Sequence, residues 1–100
     1  MLYITQLIYL QPGQEEVFDR FEAVAIPLIA RYNGRLLLRL RPDDASVIEH
    51  AVEKPYEVHL VEFDGEADFR RFMQDEERKK FLHLKEQSIR ASWLIRGERL

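Results

Sequence analysis

The chain alternates between two hydrophobic periods, one of two residues and one near 3.6 residues. The period of two is typical of half-buried β-strands. It occurs in four stretches: residues 2–10 (LYITQLIYL), 35–41 (RLLLRLR), 56–63 (YEVHLVEF) and 88–97 (SIRASWLIRG). The turn signal at residues 11–13, Gln-Pro-Gly, ends the first of them. We therefore predict four strands.

The helical period occupies the segment between the first two strands. Apolar residues from Val17 to Tyr32 recur at steps of three, four and one, which places them on one face of a helix. Asn33 and Gly34 follow, and glycine readily adopts the left-handed conformation that ends many helices. Pro27 removes one backbone hydrogen bond inside this helix, so we expect a kink there and not two separate helices.

A second helical segment follows the third strand. Phe69, Phe72 and Met73 share one face of the sequence EADFRRFM. This periodicity breaks down in QDEERKK, so we expect a bend near Asp75 and a new short helix beyond it, and we interpret DEERKK as a solvated face. The linker between the second and third strands is long for a hairpin, and we expect it to be partly extended at residues 46–52.

The element order is thus β-α-β-β-α-β, in a chain of 100 residues that we predict to be a single domain, 1–100. Two βαβ halves in this order make an α+β ferredoxin-like fold, a four-stranded antiparallel sheet with both helices on one face. The right-handed crossover preference leaves few alternatives.

The period of two divides the strand residues into two sets. The apolar set, which we expect the helices to cover, is Leu2, Ile4, Ile8, Leu36, Leu38, Leu40, Val58, Leu60, Ile89, Ala91, Trp93 and Ile95. The mixed set is Tyr3, Thr5, Leu7, Tyr9, Arg35, Leu37, Arg39, Arg41, Glu57, His59, Val61, Phe63, Arg90, Ser92, Leu94 and Arg96. The mixed set is too apolar to face water freely, so we expect it to pack against a second copy of the chain.

A plausible register of the second and third strands pairs charged residues across the sheet. It places Arg41 opposite Glu57, Arg39 opposite His59 and Leu37 opposite Val61. In this arrangement Arg39 would disfavour protonation of His59 and leave a neutral imidazole that accepts or donates a proton.

Charge and composition exclude several classes of function. The net charge is −3 and the pI about 5.6, so the chain lacks the basic face that nucleic-acid binding requires. It contains no cysteine, which excludes disulfides, thiolate catalysis and cysteine-bound metals. The first strand lacks the basic flank of a signal peptide and is too short to span a membrane, so we expect a cytoplasmic protein without a membrane partner.

Four residues are candidates for a site. His59 is the best catalytic candidate, because imidazole titrates near neutral pH; the alternative is a sheet histidine satisfied by a neighbour. Arg39 suits an anionic ligand, or else protects a sheet edge from aggregation. Tyr32 and Trp93 are candidates to line a ligand cleft between helices and sheet, although aromatic residues at such spacings also form plain core. The spacing of the histidines predicts no metal site, and we expect no tightly bound cofactor.

Three segments carry a resemblance to a known family. ARYNGRLLLR, KPYEVHLVEFDG and FMQDEERKKFLHLKE occur in the order found in the domain of unknown function 1330 family, which belongs to the dimeric α/β-barrel superfamily. The resemblance implies a ferredoxin-like protomer whose sheet packs against that of a second protomer, forming a dimeric α/β barrel. The superfamily also contains cofactor-independent monooxygenases, haem-handling enzymes and stress proteins, so it implies no particular chemistry.

Two functions remain open at the level of sequence. The first is an enzyme or binding protein for a small organic molecule, with one pocket in each protomer of a homodimer. The second is a non-catalytic dimeric module in which the sheet serves association alone. An open, polar cavity that contains His59 or lies beneath Pro27 would favour the first.

Overall fold

The computed structural model describes residues 1–100 and contains the four predicted strands. The main elements are β1 (Leu2–Leu10), α1 (Glu15–Leu28), β2 (Gly34–Leu40), β3 (Glu57–Phe63), α2 (Glu66–Met73), α3 (Glu76–Lys79), α4 (Leu82–Ser88) and β4 (Ile89–Gly97). The strands form one antiparallel sheet in the order β2-β3-β1-β4. The predicted α+β ferredoxin-like fold is therefore confirmed.

The helices cover one face of this sheet and leave the other uncovered. Ile4, Val61 and Phe63 of the sheet pack with Leu28, Ile29 and Phe72 of the helical layer in one buried cluster. The shortest dimension of the Cα trace is 16 Å, as expected for one sheet and one layer of helices. No helix has the length and apolar character needed to cross a membrane.

The helix changes type just after Pro27. The α-helix ends at Leu28, one residue after the proline, and a 3₁₀ turn, Ile29–Tyr32, continues it. Asn33 then adopts a left-handed conformation with φ of 56°, and Gly34 begins β2. A Cβ atom on Gly34 would lie only 2.6 Å from Ile29 Cγ2. This close approach of backbone to core requires glycine at the end of the helix.

The predicted bend near Asp75 is confirmed. The α2 helix ends at Met73, and the Asp75 carboxylate accepts the backbone N–H of Arg78 at 2.8 Å, which caps α3. The Tyr32 hydroxyl also donates to this carboxylate. The helical segment beyond the bend is divided into two short helices, α3 and α4. The linker contains one 3₁₀ turn, Asp44–Ser46, and no strand; of residues 46–52, which were predicted to be partly extended, Val47 has extended dihedral angles.

The division of strand residues between the two faces was right for β1 and wrong for β3. Glu57, His59, Val61 and Phe63 face the helices, where each is less than 9% exposed. The prediction assumed that the more polar set of a strand faces outward. Glu57 and His59 are buried because they bond to each other and to arginines, which offsets the cost of removing polar groups from water.

A bulge explains the errors in β2. The pairing with β3 shifts by one residue between Leu36 and Leu38, so Leu36 lies opposite Val61 in place of the predicted Leu37. Beyond the bulge, Arg39 lies opposite His59, as predicted. The shift turns Leu38 to the uncovered side of the sheet and Arg39 to the helical side. A strict period of two cannot anticipate such an insertion.

The predicted faces of β4 were also reversed over most of its length. Ser92 and Leu94 lie on the helical side, whereas Ala91, Trp93 and Ile95 do not. The uncovered side, called the open face below, consists of Tyr3, Thr5, Leu7, Tyr9, Arg35, Leu38, Leu40, Val58, Leu60, Glu62, Ala91, Trp93 and Ile95. It is more apolar than the predicted mixed set.

Candidate functional site

A cavity of about 130 Å³ lies between the helical face of the sheet and the helices. Thirteen of its nineteen lining residues are hydrophobic. Its polar lining consists of Gln6, Glu22, His59, Arg78, Lys85 and Ser92. A mostly apolar space with a few polar groups converging on it is the usual character of a site for a small organic molecule.

Glu57 holds His59 at the wall of this cavity. The two residues are two positions apart on β3, so their side chains share a face and the imidazole Nε2 contacts carboxylate Oε2. Two arginines of the β2 edge complete the arrangement: Arg39 Nε donates to Oε2 at 2.8 Å and Arg41 Nε to Oε1 at 2.7 Å. Asp19 of α1 accepts from Arg41 at 2.7 Å, which fixes that guanidinium in turn.

This arrangement keeps Glu57 ionised although it is fully buried. Burial alone would raise its pKa, but the hydrogen bonds from His59, Arg39 and Arg41 outweigh that cost and lower the pKa to about 2. An ionised carboxylate only accepts hydrogen bonds. Nε2 of His59 must therefore carry the proton in the contact with Glu57.

The other imidazole nitrogen, Nδ1, forms no hydrogen bond within the chain. Among the side-chain nitrogen and oxygen atoms that are fully buried, only Arg78 Nε lacks a hydrogen-bond partner, so His59 Nδ1 is not in that group. Nδ1 is therefore not fully enclosed, and His59 is one of the residues that line the cavity. In the neutral imidazole, Nδ1 presents a lone pair that can accept a proton from a bound molecule.

Arg78 forms a second polar feature of the cavity. It is 6% exposed, and its guanidinium lies over the rings of Phe72 and Phe21, 5.4 and 5.8 Å from their centroids. Its only side-chain hydrogen bond goes from one terminal nitrogen to the carbonyl of Met73 at 3.3 Å, and no carboxylate forms an ion pair with it. The cavity therefore has a buried cation in its wall that no carboxylate contacts directly, although Glu22 and Asp75 attract it from a greater distance.

Glu22 and Lys85 contribute the remaining charges. Glu22 of α1 is 7% exposed and its carboxylate forms no hydrogen bond within the chain, so burial raises its pKa. For Lys85 burial acts in the opposite direction and lowers the pKa, and the nearby Arg78 lowers it further. Both shifts favour the neutral form, as expected for groups that face a small, mostly apolar space.

A surface depression adjoins the cavity. It is lined by Met73, Arg78, Leu82, Lys85, Glu86 and Ile89, and four of these six also line the cavity. The shared residues are at the end of α2 and on α3, α4 and the start of β4. The cavity and the depression therefore adjoin at this corner of the helical layer.

The structure brings only part of the predicted site together. His59 lines the cavity, and Arg39 adjoins it through Glu57. Tyr32 is outside the cavity, where it packs against the core and bonds to Asp75. Trp93 is 54% exposed on the open face, opposite Leu7, so its predicted place under the helices was wrong.

Four charged residues of the cavity region, Glu22, Glu57, Arg78 and Lys85, were missed by sequence reasoning. The sequence predicted Glu57 only as the residue opposite Arg41 in the sheet and not as part of the site, because nothing in the local sequence of a strand shows that a carboxylate is fully buried. Arg78 falls in DEERKK, whose interpretation as a solvated face was wrong at this residue. The capping aspartate at position 75 was the available signal, since it restarts the helical phase and turns Arg78 inward.

Comparison with known proteins supports the fold. No family model matches the chain, and no curated protein matches its sequence. Among solved structures, a protein of unknown function from Rhodopseudomonas palustris matches with a TM-score of 0.84 and 18% identity, over 99% of this chain and 82% of that one. An uncharacterised NIPSNAP domain protein from Burkholderia xenovorans matches with a TM-score of 0.73 and 14% identity, over 100% and 95%.

A third similar structure is described as dimeric. It is a protein of unknown function with a ferredoxin-like fold from Bacteroides fragilis, with a TM-score of 0.69 and 15% identity, over 98% of this chain and 95% of that one. At these identities the likeness establishes the fold and leaves the chemistry to the residues of this chain. The chain is an α+β protein of the ferredoxin-like fold, similar to uncharacterised proteins, of which one is dimeric.

Proposed function

We propose that the chain is an enzyme that binds a small organic molecule in the cavity and transfers a proton to or from it through His59. The observation that carries the proposal is the contact between buried Glu57 and His59 Nε2, which leaves Nδ1 free beside the cavity. A carboxylate that fixes one imidazole nitrogen while the other meets a substrate is a recurrent arrangement for acid–base catalysis.

The residues around the pair support a functional role over a merely structural one. A sheet histidine that serves packing would satisfy both ring nitrogens within the protein. Here two arginines and Asp19 are arranged around Glu57, while Nδ1 has no partner. Arg39 thus acts as a positioning residue for the pair and not as a contact of the ligand.

Ligand binding is tested by a thermal-shift screen of small acids, amides, ketones and quinones. A compound that binds only the folded chain raises the melting temperature by mass action. Ala25 lines the cavity, so Ala25→Leu should remove the effect of any compound that binds there. Ala51→Leu, at an exposed position of the linker, is the matched control and should leave it intact.

Proton transfer is tested with a compound from that screen. In D₂O, NMR should show exchange of the acidic C–H of the bound compound, and His59→Gln should slow the exchange at least about 100-fold. Glutamine retains a donor for Glu57 but cannot take up a proton at neutral pH. Exchange that is unchanged in His59→Gln would reduce the cavity to a binding site, and shifts that persist in Ala25→Leu would move the ligand elsewhere.

The open face supports association of two copies into a homodimer. Trp93 and Ile95 are about half exposed there, and Leu38 and Leu40 are 47% and 39% exposed. Such a cluster of exposed apolar residues on one side of a sheet is typical of an interface. Sheet-to-sheet packing would give the dimeric α/β barrel expected from the resemblance to the domain of unknown function 1330 family.

The open face also favours the alternative function, a non-catalytic dimeric module. That alternative explains the apolar sheet surface but assigns no role to an unpaired Nδ1 or to a buried cation beside a cavity. It predicts a stable dimer whose melting temperature responds to none of the compounds in the screen.

A further inference from the structure

The geometry points to a small organic carboxylate as the molecule that occupies the cavity, with Arg78 as its anchor. This inference rests on the proposed function, since it names the ligand class of the same site. It starts from the position of a guanidinium and not from the His59–Glu57 pair, so the two can fail separately.

Arg78 is buried in a way that is costly for the protein alone. Its guanidinium is charged at all pH values of interest. Yet Nε has no hydrogen-bond partner and no open space beside it, and the Asp75 carboxylate, which caps its helix, already accepts from the Tyr32 hydroxyl and from the backbone N–H of Arg78. A buried cation that no carboxylate contacts is costly unless a bound molecule supplies the opposite charge.

The other charges of the cavity leave room for an anion. Arg78 and Lys85 are its two cationic side chains, and Glu22 is its one carboxylate. Glu57 does not line the cavity, and its charge is met by Arg39 and Arg41. The cavity is therefore net positive before a ligand enters.

The apolar lining of the cavity indicates the size and character of the non-polar part of such an anion. Phe21, Phe63, Phe69 and Phe72 are among the thirteen hydrophobic lining residues. A cavity of about 150 Å³ holds benzene, so the present volume of about 130 Å³ suits an apolar group of about that size. Arg78 lines both the cavity and the adjoining depression, so the carboxylate would lie at their junction, outside the volume that the apolar group fills. A planar carboxylate matches the forked donors of arginine better than any other common anionic head group of this size.

The test uses two probes of equal shape and different charge. Benzoate carries the carboxylate, and benzamide replaces it with a neutral amide. Titration of ¹⁵N-labelled protein should show benzoate binding at least about tenfold tighter, because a charge-assisted hydrogen bond exceeds a neutral one by about that factor. The guanidinium N–H resonances of Arg78 should move downfield with benzoate and hardly at all with benzamide.

Two variants locate the effect. Arg78→Lys keeps the charge but loses the fork, and should reduce the preference for benzoate to threefold or less. Lys85→Met should weaken benzoate binding and keep the shift of the Arg78 resonance. If Arg78→Lys fails to fold, the shift of the Arg78 guanidinium resonances in the wild-type chain decides.

The possible failures are distinct. Equal affinity for benzoate and benzamide, with cavity resonances shifting for both, would overturn the carboxylate assignment and leave the proposed site standing. The same holds if benzoate moves the resonance of another arginine while that of Arg78 stays in place. Cavity resonances that respond to neither probe, nor to any compound of the thermal-shift screen, would overturn both proposals.

Discussion

Replacing Glu57 by glutamine removes the carboxylate on which Arg39, Arg41 and His59 converge. Glutamine has nearly the same shape, so the change tests charge and not packing. It also resembles the protonated form of the carboxyl group, which makes the pKa of Glu57 a guide to the size of the effect. We expect a large loss of stability at neutral pH.

The magnitude follows from linkage. The pKa falls from 4.5 to about 2 in the folded chain, and each unit corresponds to about 1.4 kcal/mol. Ionisation of Glu57 thus contributes about 3 kcal/mol to the free energy of unfolding. Because the folded pKa is the lower one, this contribution is complete above pH 4.5 and is lost as the pH falls towards 2. The wild-type chain should therefore lose this stabilisation on acidification, whereas Glu57→Gln, which has no carboxylate at position 57, lacks it at every pH.

Urea denaturation at pH 7 and at pH 3 measures both parts of this expectation. Glu57→Gln should be about 3 kcal/mol less stable than wild type at pH 7 and only about 1 kcal/mol less stable at pH 3. Glu49→Gln, at an exposed linker position without ion pairs, is the matched control and should stay within about 0.5 kcal/mol at both pH values. A Glu57→Gln deficit that is below 1 kcal/mol, or that does not shrink on acidification, would refute the reasoning.

Three further predictions concern the scaffold. Gly34→Ala should lower the free energy of unfolding by about 1–3 kcal/mol in urea, because its Cβ would overlap Ile29, whereas Gly97→Ala meets no atom within 4 Å and should be neutral. Ile95→Glu on the open face should convert a species of about 24 kDa, twice the 12.0 kDa chain, to monomer by light scattering. Ile48→Glu, 96% exposed on the linker, should leave the mass unchanged, and equal masses for both variants would argue against the open-face dimer. Tyr32→Phe should cost about 1 kcal/mol through the lost bond to Asp75, and an unchanged melting temperature would contradict that.

The fold could be predicted from the sequence because each element has a strong local signal. Alternation marks the four strands, and the helical period and Asn33–Gly34 mark the end of the first helical segment. The bend at Asp75 was predictable for the same reason, since a break in the apolar period and a capping aspartate coincide there. These signals come from residues that are close together in the sequence, so they can be recognised without knowledge of tertiary contacts.

The faces of the sheet and the site depend on tertiary contacts, and here prediction failed. Glu57 and His59 are buried because arginines from another strand meet them, which the alternation within β3 cannot express. The bulge after Leu36 reverses the rest of β2 by a single residue. Arg78 was missed because a new helix begins at α3 and resets the face on which it lies.

The most direct test of the account is the tautomeric state of His59. Two-bond ¹H–¹⁵N correlation spectra of the imidazole distinguish a protonated nitrogen from one with a free lone pair. At alkaline pH we predict that Nε2 carries the proton and that Nδ1 is unprotonated, with the Nδ1 signal shifting when a cavity ligand is added. A proton on Nδ1 with Nε2 bare, or a His59 ring whose signals ignore every bound ligand, would contradict the proposed role of His59 in proton transfer.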